Sequence, residues 1–195
     1  MRCLIVYAHP VPTSYCAALR DCSVKTLRTA GHEVRVVDLY AEGFNPVMSM
    51  QERIDYHAPT VNERMVADHV AMIRWAEALV FVYPTWWYGL PAILKGWLDR
   101  VWVPHVTFTL TQGREPIRGL MDNIVRIAGI TTSGSPWWWL AFVGNPGRKT
   151  ITRGIHALAH RRCKVIWLQH YSIDRSSGES RKRFLSHVAA RLSSI

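Results

Sequence analysis

Residues 81–100 read Phe-Val-Tyr-Pro-Thr-Trp-Trp-Tyr-Gly-Leu-Pro-Ala-Ile-Leu-Lys-Gly-Trp-Leu-Asp-Arg, and this stretch decides the fold. Apolar residues 78–83 predict a buried strand, and three consecutive aromatic residues follow in a turn closed by Gly89. Pro91 suits the first turn of a helix, where its missing N–H costs nothing, and apolar residues then recur at helical spacing. Because open α/β sheets bind ligands at the carboxyl ends of their strands, we expect residues 86–88 to form a wall beside a planar cofactor.

The rest of the chain alternates strand-like and helix-like segments. We predict strands at residues 2–8, 33–39, 78–83, 123–130 and 164–170, and helices at 15–29, 61–77, 91–103, 148–160 and 180–192. This alternation predicts the α/β class, with a doubly wound five-stranded parallel sheet between two helical layers. A length of 195 residues suits a single domain over residues 1–195.

Two segments fall outside this alternation. Residues 40–59 read as an irregular excursion with a possible short helix at 49–55. Residues 106–122 read as a long loop or a small hairpin, with Gln112 and Gly113 at its tip.

The net charge of +10 is concentrated near the end of the sequence. Eleven Lys and Arg residues lie from Arg148 onward, against only Asp174 and Glu179. We predict a solvated basic face on the terminal helices; the alternatives are attraction of an anionic cofactor or of a membrane-associated partner. Because no recognised nucleic-acid motif accompanies the charge, we expect no nucleic-acid partner.

The sequence also indicates where in the cell the protein is expected and whether it binds a metal ion. Its apolar runs are shorter than a membrane span and no signal-peptide pattern opens it, so we expect a cytoplasmic protein. The four cysteines form no Cys-x-x-Cys pair, which favours buried, reduced thiols. His156 and His160 stand four apart, but Ala157 occupies the position where a zincin carries Glu, so we predict no metal site.

Three predicted strands end in loops of unusual composition, and these ends should converge. Residues 9–14 precede a helix N-terminus, whose free N–H groups suit a phosphate, although the loop also reads as an ordinary capped helix start. It is neither a P-loop nor a Gly-x-Gly-x-x-Gly motif. Residues 131–135 are small and rich in hydrogen-bond donors. A phosphate loop, an aromatic wall and a donor loop together indicate a flavin.

Residues 83–101 resemble the signature of the NAD(P)H:quinone oxidoreductase (DT-diaphorase-like) family, whose members have a flavodoxin-like fold. That signature runs Pro-x-x-Trp-aromatic-x-x-Pro-Ala-hydrophobic-Leu-Lys-Gly-Trp. Residues 8–10 and 13–15 resemble the flavin-phosphate loop of the family, and residues 131–134 resemble its Thr-Thr-Gly-Gly loop. The resemblance runs in order over about residues 1–170.

The resemblance implies a set of cofactor-binding residues. The flavin phosphate and ribityl chain would be held by His9, Thr13, Ser14 and Tyr15. The isoalloxazine would contact Pro84, Thr85, Trp86, Trp87 and Tyr88, and its polar edge would meet Thr131, Thr132, Ser133 and Gly134. Phe108 would line the substrate side.

The resemblance further implies a two-electron, ping-pong reaction. NADH or NADPH would deliver hydride to the flavin, leave, and be replaced by a quinone or a similar electrophile such as a nitro or azo compound. A homodimer is implied, with the site at the subunit interface, so that Phe108 and residues 40–59 would serve the flavin of the neighbouring subunit. The alternatives are a flavodoxin-like electron carrier and a cytoplasmic regulatory subunit of a potassium-efflux antiporter.

Several residues depart from the family pattern. Cys16 stands where the family's best-known member has Asn, and Ser133 replaces the first Gly of the Thr-Thr-Gly-Gly loop. The Tyr and His that follow that loop in the family are replaced by a tryptophan run, residues 137–139, so the sequence assigns no catalytic residue. The long C-terminal extension that helps hold the adenosine of FAD is missing from this sequence. We expect FAD as the cofactor, and because this extension is missing, FMN is the alternative.

Overall fold

Five parallel strands form one sheet in the order β2-β1-β3-β4-β5. The strands are β1 Arg2–Tyr7, β2 Glu33–Asp38, β3 Ala78–Pro84, β4 Arg126–Thr132 and β5 Lys164–His170. The computed structural model describes residues 1–111 and 116–195, so the predicted tip at Gln112 and Gly113 lies outside the described residues. The prediction of a doubly wound α/β sheet is confirmed.

Helices cover both faces of the sheet. The α-helices are α1 Tyr15–Thr29, α2 Met50–Asp55, α3 Ala67–Trp75, α4 Ala92–Val101, α5 Trp137–Val143, α6 Pro146–Lys149 and α7 Gly178–Leu192. Shorter helical turns lie at Arg64–Val66, Thr150–Ile155, His156–Leu158 and Ile173–Arg175, and the second of these has the wider π-helical pitch.

The alternation of side chains along the central strands divides the core into two halves. Leu4 and Val6 point to the half that contains residues of α3 and α4, whereas Ile5 and Tyr7 point to the half that contains residues of α1 and α7. Every residue of β3 is buried, as expected for a central strand covered on both faces. The predicted three-layer architecture follows from this burial.

Strand β4 begins three residues later than predicted and continues to Thr132. The side-chain amide of Asn123 donates to the carbonyls of Ile73 and Ala76, at 2.9 and 2.8 Å, so it caps the end of α3 instead of extending the sheet. At the other end, Thr131 and Thr132 pair with β3 and β5. Half of the predicted donor loop is therefore strand.

The helical predictions are corrected in three places. The predicted helix at 61–77 is a 3-10 turn followed by the shorter α3, and the one at 148–160 is divided into α6, the π-turn and a 3-10 turn. The sequence analysis assigned no helix to residues 137–143, yet α5 forms there and ends at Gly144, whose φ of +89° favours glycine.

All four cysteines are free, and burial raises the pKa of Cys16 to about 12 and that of Cys3 to about 11. In residues 1–111 and 116–195 there is no cluster of three or more His, Cys, Asp or Glu side chains that could hold a metal ion. Over the same residues, no helix has the length and apolar character to cross a membrane.

The excursion at residues 40–59 is attached to α4 by a buried ion pair. The guanidinium of Arg100 lies 2.7 Å from the carboxylate of Glu52 and also donates to the carbonyl of Asn45. Next to it, Pro46 lies directly on Gly96, where a β-carbon would come within 2.2 Å of the Pro46 carbonyl oxygen. A glycine is therefore required at the contact between the excursion and α4.

We predict that Gly96→Ala lowers the free energy of unfolding by about 1–3 kcal/mol, because the added methyl group overpacks a contact with backbone atoms. Gly178→Ala is the matched control: its β-carbon would meet nothing within 4 Å at the start of α7. That control should be neutral or stabilising by up to ~1 kcal/mol. Urea denaturation of both variants measures the difference, and equal stabilities would contradict this account of the α4 contact.

Candidate functional site

The candidate site begins where β3 and β4 leave the sheet side by side. The backbone N–H of Thr85 donates to the carbonyl of Thr132 at 2.7 Å, which continues the pairing past the end of β3. The hydroxyls of Thr85 and Thr131 are 2.9 Å apart and hydrogen-bonded. These contacts fix the start of the aromatic turn relative to the donor loop.

The aromatic turn, residues 86–89, has a strained backbone. The backbone N–H of Gly89 donates to the carbonyl of Trp86 at 3.0 Å. The two central residues of the turn, Trp87 and Tyr88, have φ values of +46° and +62°. A left-handed conformation costs a residue with a β-carbon about 1–2 kcal/mol, so the surrounding structure must hold the turn in place. Strained backbone of this kind is concentrated at functional sites.

Helices α5 and α6 hold the turn from the outside. The indole N–H of Trp139 donates to the hydroxyl of Tyr88 at 3.0 Å. Gly147 lies against Gly89, with the position of its absent β-carbon 3.3 Å from the Gly89 carbonyl carbon. The tryptophan run that replaces the family's Tyr and His thus supports the turn.

The aromatic turn and the donor loop enclose one cavity of about 380 Å³. It is lined by Thr85, Trp87, Tyr88, Ser133, Gly134, Ser135, Leu140 and Asp174. We call it the ring cavity. It brings together members of the second and third predicted groups of site residues, as the convergence of strand ends requires.

The expected aromatic wall is only partly formed within one chain. Trp87 is 93% exposed, and Trp86 is outside the lining of the ring cavity, with its ring centre 6.1 Å from that of His9. Pro84 is buried at the end of β3. The turn cannot direct all three rings into one cavity, because its two left-handed residues reverse the chain within four positions.

The donor loop is ordered by the strand beside it. The N–H of Ser133 donates to the carbonyl of His170 at 2.9 Å, and the Ser133 hydroxyl donates to the carbonyl of Ser135 at 3.0 Å. Gly134 has no room for a side chain, because a β-carbon there would lie 2.5 Å from a carboxylate oxygen of Asp174. The second glycine of the predicted loop therefore admits the Asp174 carboxylate to the cavity.

The phosphate loop is a capped helix start. The Ser14 hydroxyl accepts the N–H of Ala17 at 3.1 Å as the N-cap of α1. The N–H of Val11 donates to the ring of His9 at 3.0 Å, and Thr13 is exposed beside the cap. The N–H groups of Tyr15 and Cys16, in the same first turn, have no acceptor within the helix.

Two residues that the sequence analysis did not assign to the site lie beside this loop. The guanidinium carbon of Arg181 is 5.9 Å from the centre of the Tyr15 ring, and the ring of His170 packs edge-on against the same tyrosine at 5.6 Å. His170 is buried, yet its Nδ1 has no hydrogen-bond partner. Burial and the nearby charge of Arg181 lower the pKa of His170.

A helix N-terminus, a neighbouring guanidinium and an unpartnered ring nitrogen together fit an anionic group. Burial raises the pKa of Tyr15 to about 12, and its protonated hydroxyl donates to the carbonyl of Arg181 at 2.9 Å. The residues present thus suit a phosphate. In the sequence, Arg181 is one of the many Lys and Arg residues that follow Arg148. That excess of positive charge does not reveal which of these cations lies next to α1.

A polar network under the aromatic turn was also missed. The side-chain oxygen of Gln169 accepts N–H groups from Trp167 and Asn145, at 3.1 and 3.2 Å. The Gln169 amide nitrogen lies 3.5 Å from the Thr85 hydroxyl. Gln169 therefore connects Thr85 to Asn145, the left-handed residue before α6, and no sequence motif predicts that contact.

Phe108 lies away from the ring cavity of its own chain. Its backbone bridges to Pro104 and Gly119, and its side chain is half-buried. It does not line the ring cavity. Its role on the substrate side stays a prediction, one that requires a neighbouring subunit.

We predict that Thr85→Val lowers the free energy of unfolding by about 1–2 kcal/mol, because it deprives the buried Thr131 hydroxyl of its short hydrogen bond. Thr131→Val should have a similar effect. The double variant should lose less than the sum, by about 0.5 kcal/mol or more, since both changes remove the same bond. Chemical denaturation of the four proteins measures the coupling, and strictly additive losses would disprove it.

Known proteins resemble this chain over the same elements. A family model described as a flavodoxin-like fold matches residues 1–195. NAD(P)H dehydrogenase (quinone) 1 of Cavia porcellus is 33% identical over 150 residues, which cover 69% of this chain and 54% of that protein. The chain spans about half the length of the first curated relatives it matches.

Solved structures agree with the fold. The crystal structure of Smu.1420 from Streptococcus mutans UA159 has a TM-score of 0.83 at 31% identity, with complete coverage of both chains. An FMN-dependent NADH-azoreductase from Bacillus anthracis, solved in complex with FMN, has a TM-score of 0.79 at 18% identity and covers 100% of this chain and 99% of that one. At that identity, the second likeness concerns the fold alone.

The resemblance to the NAD(P)H:quinone oxidoreductase family is confirmed by relatives named NAD(P)H dehydrogenase (quinone). The family model covers the phosphate loop, the aromatic turn and the donor loop together. This chain belongs to the flavodoxin-like fold family.

Proposed function

We propose that this protein is a flavin-dependent NAD(P)H oxidoreductase that reduces quinones or similar small electrophiles. The observation that carries the proposal is the convergence of three groups on one edge of the sheet: an anion-binding helix start, a strained aromatic turn and a hydrogen-bonding loop. Relatives named as quinone-dependent NAD(P)H dehydrogenases support the same reaction class. Residues 1–195 would act as a single flavin-binding domain.

The flavin would be held from its phosphate to its ring. Its phosphate would meet the N-terminus of α1, with His9, Thr13, Ser14 and Tyr15 from the sequence prediction and Arg181 in addition. The ring would lie in the ring cavity, between the aromatic turn and the donor loop at residues 131–134. Trp86 would contact it only at the margin of that cavity.

The bound flavin would accept a hydride from NADH or NADPH and pass two electrons to the acceptor. The residues of this chain supply position and hydrogen bonds. Because the Tyr88 oxygen already accepts the indole N–H of Trp139, its own O–H remains free to donate to a group in the ring cavity. We propose that Tyr88 donates a hydrogen bond in the ring cavity. It would take the place of the Tyr and His that the family carries after its Thr-Thr-Gly-Gly loop and that this chain lacks.

The proposed site suits either of two flavins. Both FAD and FMN carry the phosphate and ring that the three loops suit, and a relative of the same fold is known with FMN. Cofactor extraction followed by chromatography separates the two. Quinone, nitro and azo compounds would accept electrons by the same chemistry, each entering at the open side of the ring cavity.

We also propose a homodimer. Large apolar side chains next to the ring cavity are exposed, including Trp87 and Phe142 at 93% and 79%. Exposed apolar clusters of this kind are typical of protein interfaces. A second subunit would cover Trp87 and bring Phe108 to the open side of the site. Cytoplasmic location stays a sequence-based prediction that cell fractionation tests.

Purified protein should show a flavin absorbance spectrum and oxidise NADPH or NADH when menadione is present. Sedimentation should give the mass of a dimer. A protein that retains flavin but does not oxidise either nucleotide with any quinone offered would overturn the oxidoreductase assignment. A fully active monomer would overturn the dimer.

We predict that Arg181→Gln weakens flavin binding about 10–100-fold, because a charge-assisted hydrogen bond to phosphate is worth about 1.5–3 kcal/mol. Arg183→Gln, two residues along α7, is the control, since Arg183 is exposed and pairs with Glu179 at 2.8 Å. Fluorescence titration of the flavin-free proteins measures both affinities. Equal affinities would remove Arg181 from the site.

A further inference from the structure

A second cavity of about 380 Å³ also borders α5. Arg148, Lys149 and Arg153 line it, together with Trp137 and Tyr171. We call it the basic cavity. None of these five residues lines the ring cavity, and none belonged to the predicted site.

Among the residues that the structure describes, the three cations in the basic cavity have no acidic partner. Many other cations of this protein do form ion pairs, as Arg2, Arg74, Lys95 and Arg183 illustrate. Within residues 1–111 and 116–195, neither Arg148, Lys149 nor Arg153 has a carboxylate within 4.0 Å. Three like charges around one cavity raise its potential and favour an anion there.

The local backbone creates this arrangement. Lys149 and Arg153 are four residues apart across the junction of α6 and the π-turn, so their side chains project from the same side. Gly144 leaves room for Lys149, because a β-carbon at Gly144 would be 3.3 Å from the lysine Nζ. The cations converge on a concave surface and are not spread around a helix.

The aromatic residues restrict the class of anion. Trp137 is 66% exposed and Tyr171 is half-buried, so both rings have faces available to a planar group. Cations beside exposed aromatic rings suit a ligand with both a phosphate and a base, because bases stack on such rings. An inorganic anion would use the charges and leave the rings without a role.

The two cavities are placed to share one ligand. Leu140 of α5 lines the ring cavity, whereas Trp137 and Ala141 of the same helix line the basic cavity. Because one short helix contributes residues to both linings, the two cavities are neighbours. A dinucleotide donor has its redox-active ring at one end and its adenosine at the other. Its ring would meet the flavin at the open side of the ring cavity, and its phosphate and base would enter the basic cavity.

We propose that the basic cavity binds the adenosine 2′-phosphate end of NADPH and makes the protein selective for NADPH over NADH. This inference rests on the proposed oxidoreductase function, since it assigns the electron donor of that reaction. The 2′-phosphate is the only group that distinguishes the two donors. Arg148, Lys149 and Arg153 would bind that phosphate, and Trp137 or Tyr171 would stack on the adenine.

The test compares the double variant Lys149→Gln/Arg153→Gln with wild type and with the control Lys182→Gln/Arg183→Gln on α7. In steady-state kinetics with menadione, the cavity variant should raise the KM for NADPH about 100-fold or more, the effect of losing two charge-assisted contacts, and leave the KM for NADH and the flavin content unchanged. The control should match wild type. Equal KM values for NADPH in all three proteins would overturn the proposal.

A binding measurement separates this inference from the proposed function. Calorimetry on flavin-free protein should show that 2′,5′-ADP binds to wild type and to the control but at least tenfold more weakly to the cavity variant. Binding of 5′-AMP should be weaker than that of 2′,5′-ADP in wild type. If 2′,5′-ADP binds as predicted and turnover is absent, the oxidoreductase function fails and the nucleotide site stands.

The remaining outcomes overturn the nucleotide site. No binding of 2′,5′-ADP would disprove it directly. If inorganic phosphate binds as tightly as 2′,5′-ADP, the cavity is a simple anion site and the stacking argument is wrong. If FAD competes with 2′,5′-ADP for the flavin-free protein through the residues of the basic cavity, these residues hold the adenosine of the flavin instead of the donor.

Discussion

The hydrogen bonding between residues just beyond β3 and the end of β4 determines the geometry of the whole candidate site. Thr85 continues the strand pairing to Thr132 and adds a hydroxyl contact to Thr131, at 2.7 and 2.9 Å. Because the aromatic turn starts at the next residue, its orientation is inherited from the sheet. The ring cavity exists because this pairing brings the turn and the donor loop to a common edge.

The strained turn then depends on α5 and α6. Two left-handed aromatic residues are unfavourable by themselves, so the contacts of Trp139 with Tyr88 and of Gly147 with Gly89 must hold them. The tryptophan run therefore supports the aromatic turn. Its position in the sequence did not suggest this role. The same packing leaves Trp87 exposed, which is consistent with a second subunit at this face.

The basic charge of the last quarter divides among different environments. Arg183 pairs with a carboxylate on the outer face of α7, as a solvated basic face requires. Arg181, two residues earlier, lies beside Tyr15 at the start of α1. Arg148, Lys149 and Arg153 line a cavity and have no carboxylate partner within residues 1–111 and 116–195. Part of the charge thus lies where an anion would bind, which was the alternative interpretation of the composition.

The sequence by itself determined the fold class, all five strands and the three loops of the site, because alternating apolar runs and the proline- and glycine-bounded aromatic stretch are local patterns. It did not determine that Asn123 caps α3, that residues 137–143 form a helix, or that Gln169 lies under Thr85, since these depend on contacts between residues distant in the chain. Arg181 and Asp174 are ordinary surface residues by local pattern. Only the tertiary structure, which brings the carboxyl ends of parallel strands to one edge, decides that they reach the site.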